Sequence, residues 1–80
     1  MMSSNKGNGI NLVLEEIEGI KTLNDQYKKE LNDAKAGTGL CSMLPKNARE
    51  AVAKMLEKHI SDNEKSIQEL LIYIREIENE

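Results

Sequence analysis

Phenylalanine and tryptophan are absent from this 80-residue chain, and tyrosine occurs only as Tyr27 and Tyr73. A chain so poor in aromatics and 31% charged suits amphipathic helices better than a β-sandwich. Excess positive charge is also missing. The net charge is −3, so the basic footprint that phosphate backbones require is not there, and nucleic acid is not expected as a partner. Cysteine occurs once, as Cys41. It has no partner for an intrachain disulfide, which points to a reducing, cytoplasmic setting. Long apolar runs are lacking too. The longest covers residues 70–74, so no membrane span is expected. The first residues lack the apolar segment of a signal peptide, and Met2 stands where N-myristoylation needs glycine.

Proline occurs once, as Pro45, and little else interrupts a periodic pattern on either side of it. Ile10, Ile17, Asn24 and Leu31 recur every seven residues. Val13, Ile20, Tyr27 and Ala34 recur in the same way, offset by three. After the proline, Ala53, Ile60, Ile67 and Ile74 form one series, and Leu56, Asn63, Leu70 and Ile77 the other. Each half therefore carries a heptad seam with a single asparagine in it. The spacing predicts a helix over residues 11–36, a loop over 37–44 and a second helix over 45–78. Residues 1–9, polar and without period, read as a disordered tail. Asn8 or Asn11 is available to cap the first helix, and Ser42 or Asn47 the second, the latter with Glu50 as a capping box. Ser61-Asp62-Asn63-Glu64 also resembles a capping box, but the heptad phase runs through it unbroken. Gly37-Thr38-Gly39 supplies a left-handed stop; the full phosphate-loop pattern is absent.

Two seams on one short chain predict an all-α fold, an antiparallel two-helix coiled-coil hairpin occupying residues 10–80. When facing residues have numbers adding to 87, every apolar seam residue meets an apolar one, as Ile10 meets Ile77, and Asn24 meets Asn63. A slip by one heptad sets each asparagine against an aliphatic side chain and leaves its amide unpaired, at about 1–3 kcal/mol. Asn24 and Asn63 are thus the expected register-setting pair. Leu40, Met43 and Leu44 are expected to fold over the ends of the helix pair.

More apolar residues are present than one seam consumes. Leu12, Leu14, Leu71, Ile72 and Tyr73 lie off it, near the end that carries both termini, and form the expected interface. Self-association into a homodimer or higher oligomer, expected as a four-helix bundle, would bury them. Charge divides lengthwise: the terminal end is rich in glutamate, and the loop end is mildly basic.

Catalytic or cofactor chemistry finds little support. His59 is the single histidine, and with Asp62 and Cys41 it falls short of a zinc ligand set. Cys41 lacks an evident base in sequence, and Glu15-Glu16-x-Glu18 lacks the Glu-x-x-His of di-metal bundles. Catalytic, cofactor and metal sites are therefore not assigned. Ser66-Ile67-Gln68-Glu69-Leu70-Leu71 is loosely similar to the Ser-Gln-Glu-Leu-Asp motif of the aspartyl-phosphate phosphatases of sporulation signalling. Ile67 is inserted here, and Leu71 replaces the acid expected to carry the chemistry. The expected function is a non-enzymatic, self-associating protein-interaction module of the adaptor, inhibitor or co-chaperone type. A phosphatase-like signalling regulator and a structural subunit of a larger assembly are the alternatives.

Overall fold

The computed structural model describes residues 2–79, with side chains described over residues 9–79. Helix α1 spans Met2–Ala36 and helix α2 spans Lys46–Glu78, joined by a short 3-10 helix over Gly39–Met43. The two long helices pack antiparallel into a rod of 58 × 17 × 12 Å. The chain is an all-α helical hairpin.

The seam holds it together. Ile17, Ala34, Ala53, Leu56, Ile60 and Ile74 are buried, and the other apolar seam residues are half-buried. No seam position on either helix is exposed. The register is fixed at its one polar layer. Asn63 Nδ2 donates to Asn24 Oδ1 at 2.9 Å, and Asn24 Nδ2 donates to the Ile60 carbonyl at 3.3 Å. Asn24, only 4% exposed, is thereby satisfied on both its donor and its acceptor side. Buried amides need such partners, so the layer tolerates one alignment and penalises the others.

The helix ends differ from the sequence expectation. Residues 2–9, expected as a tail, continue α1, so Asn11 lies inside the helix and does not cap it, while the side chain of Asn8 lies outside those described. Glycine in a helix costs about 1 kcal/mol each, which lowers stability without dictating a break, and no proline precedes Pro45. At the other end α1 stops as expected. Gly37 takes the left-handed conformation at φ 71, and the N–H groups of Gly37 and Thr38 both donate to the Asp33 carbonyl. Pro45 sits one residue before α2 rather than in its first turn, and caps it with no side-chain hydrogen bond. Asn47 Oδ1 accepts from its neighbour Ala48 N at 3.0 Å, so the expected Asn47 and Glu50 box does not form, and Ser42 does not cap the helix either. α2 then runs without a break through residues 61–64. The heptad phase outweighs the local capping signal there because Ile60, Asn63 and Ile67 are all held in the seam.

The connection also corrects an expectation. Leu40 is 96% exposed and Met43 89%, so neither folds over the helix ends. In a 3-10 helix residues three apart eclipse one another. Leu40 and Met43 therefore share the outer side, while Cys41 turns inward and is half-buried. Arg49 locks the junction, its Nη1 donating to the Ala34 carbonyl at 3.5 Å.

Candidate functional site

The five residues expected at an interface are all exposed: Leu12, Leu14, Leu71, Ile72 and Tyr73, at 41–64%. They do not lie on one face. Leu12 directly precedes the seam residue Val13 and Leu14 directly follows it. At about 100° per residue they flank the seam from opposite sides, about 200° apart. On α2, Leu71 follows Leu70 and Tyr73 precedes Ile74, with Ile72 on the back between them. The apolar residues therefore form a collar around the terminal end of the rod.

Contacts elsewhere show which sides correspond. Lys35, which follows the seam residue Ala34, approaches Glu57, which follows Leu56, with Nζ to Oε1 at 3.9 Å. Lys21, Lys28 and Glu64, each also following a seam residue, line one shallow hollow beside Asn24 and Ile67. On the opposite side Glu30, Asp33 and Val52, each preceding a seam residue, line another hollow with Leu40 and Cys41. Leu14 and Leu71 thus share the first side, and Leu12 and Tyr73 the second. Sequence periodicity alone gives the angle of each residue on its own helix; the antiparallel register is what pairs the sides.

The titratable residues singled out by sequence do not converge. His59 is exposed, its ring stacked on Tyr27 with centroids 5.6 Å apart and planes at 28°. The hollow that holds Cys41 is not lined by His59. Among the described residues, no group of three His, Cys, Asp or Glu side chains is placed to hold a metal ion. No helix among them is long and apolar enough to cross a membrane.

The exposed pair at the turn, Leu40 and Met43, was missed as a candidate surface. A run reading Leu-Cys-Ser-Met-Leu signals a local core unless its 3-10 phase is known. The three-residue spacing of Leu40 and Met43 was the available clue. Comparison with known proteins adds no assignment: no family model, curated protein or solved structure matches the chain.

Proposed function

We propose that the protein is a non-enzymatic protein-interaction module that self-associates through its terminal end. One observation carries this reading: the seam packs within the hairpin with none of its positions exposed, and the collar of Leu12, Leu14, Leu71, Ile72 and Tyr73 is exposed. Clustered exposed apolar residues of this kind mark association surfaces on soluble chains. Tyr73 suits an anchor role, with a large rigid ring and a hydroxyl that tolerates a wet rim.

A bundle of two hairpins would bury surface that a single hairpin leaves in water. A cytoplasmic setting remains part of the proposal, resting on the lone cysteine.

Changing Ile72 and Tyr73 together to Ala tests the reading. Loss of self-association with helicity retained supports it, and unchanged association contradicts it. Cys41→Ala and His59→Ala leave association intact on this reading. Phosphate release from a phosphorylated response regulator would instead indicate the phosphatase-like alternative.

A further inference from the structure

Every seam residue has one neighbour directly before it and one directly after it, and these define the two long sides of the rod. The side formed by residues that follow a seam residue is electrically balanced. On α1 it carries Glu18, Lys21, Asp25, Lys28 and Lys35, and on α2 Lys54, Glu57, Glu64, Arg75 and Glu78. The side formed by residues that precede one is different. It carries the carboxylates Glu16, Glu30, Asp33, Asp62, Glu69 and Glu76, and no Lys or Arg. Between them stand Leu12, Leu23, Met55 and Tyr73, all exposed.

Gly19 lies on this same side, between Leu12 and Leu23, inside a long helix. A Cβ added there would meet nothing within 4 Å. Its φ is not positive, so neither packing nor backbone conformation within the hairpin calls for glycine. Glycine at such a position lowers helix stability, and it is useful where another backbone approaches closely.

We propose that this acidic side docks a basic amphipathic helix of another protein, seated over Gly19, with its apolar stripe on Leu12, Leu23, Met55 and Tyr73 and its Lys or Arg residues against the flanking carboxylates. The inference rests on the interaction-module reading and divides its surface. A second copy is disfavoured on this side, because two such faces would set carboxylates against carboxylates. Self-association then rests on the part of the collar on the balanced side and the back of α2, where Leu14, Leu71 and Ile72 lie. Ile72 is therefore the member of the Ile72→Ala, Tyr73→Ala pair that carries its loss. The apolar stripe sets the partner's helical spacing, and the charge sets its sign.

The test uses the full chain and two synthetic helical peptides of about 21 residues, a length of about 32 Å that matches the side from Leu12 to Asp33. One has leucines at positions i, i+3, i+4 and i+7 with flanking lysines; the other has glutamates in place of the lysines. Titration calorimetry at about 0.15 M salt is expected to show the lysine peptide binding at least roughly tenfold more tightly, with affinity falling as salt rises. Gly19→Leu should weaken that binding by roughly tenfold through steric block, since leucine is a better helix former than glycine and keeps α1 intact. Gln68→Ala, on the balanced side and outside the collar, should leave it unchanged. Equal binding of both peptides, or binding indifferent to Gly19→Leu, overturns the proposal. So does a fall in the oligomer mass of Gly19→Leu, which would assign this side to a second copy. An unaltered chain that self-associates but binds neither peptide removes this inference alone and leaves the interaction-module reading standing.

Discussion

Replacing Asn24 and Asn63 by leucine, singly and together, should give strongly unequal results. Asn63→Leu removes the donor that meets Asn24 Oδ1 at 2.9 Å. Asn24 is 4% exposed, so its carbonyl oxygen would then lie unpaired in an apolar layer, costing about 1–3 kcal/mol. The new leucine, at a half-buried position, recovers part of that, so a net loss of about 1–2 kcal/mol is expected. Asn24→Leu behaves differently. Its partner Asn63 is only half-buried and can turn to water, while the new leucine fills a buried site. That change should lie near zero or stabilise by about 1 kcal/mol. The double variant removes both amides and leaves nothing unpaired, so it should exceed the wild type by about 2 kcal/mol. For a chain of this size each kcal/mol moves Tm by about 4–8 °C. Thermal unfolding at one fixed protein concentration, followed by circular dichroism, measures all four corners of the cycle. The stabilised double variant should also populate more than one register, seen as extra amide resonances. Additivity of the two single changes within about 0.5 kcal/mol would show that the asparagines are not coupled and would refute the register.

Three further outcomes follow from named contacts. Gly19→Ala should stabilise the hairpin by about 1 kcal/mol, measured by thermal or urea unfolding, because its Cβ meets nothing. Gly37→Ala and Gly39→Ala should each destabilise by more than about 1 kcal/mol in the same assay, since both glycines have positive φ and an added Cβ would lie 2.6 Å from Arg49 Nη1 or 2.7 Å from Asp33 Oδ2. Leu40→Ser with Met43→Ser should leave Tm within about 0.5 kcal/mol equivalent of the wild type, because both side chains are exposed; a larger drop would mean they pack in solution.

Long-period information proved readable from the sequence, and short-range geometry much less so. The seams, their asparagines and the sum that aligns them depend on a seven-residue repeat sustained over several turns. Local irregularity at Gly19 or at residues 61–64 does not disturb it. The ends of the elements depend on one or two hydrogen bonds. Asn47 had the right spacing for a capping box, yet its side chain bonds Ala48 instead. The apolar composition of residues 40–44 suggested a buried turn. The two left-handed glycines and the 3-10 phase decide otherwise, and neither can be read from hydrophobicity. The collar residues were visible as a surplus over the seam. Their division between two oppositely facing sides emerged only with the antiparallel register, and with it the absence of Lys and Arg from one side.

The most direct test of the interaction-module reading is the solution mass of the chain across micromolar concentrations, by light scattering. A dimer of about twice the 9.0 kDa chain mass, or a higher oligomer, is expected for the wild type. The Ile72→Ala, Tyr73→Ala variant should return the single-chain mass with its helical circular dichroism largely retained. A wild type that remains at the single-chain mass throughout that range would contradict self-association through the terminal collar.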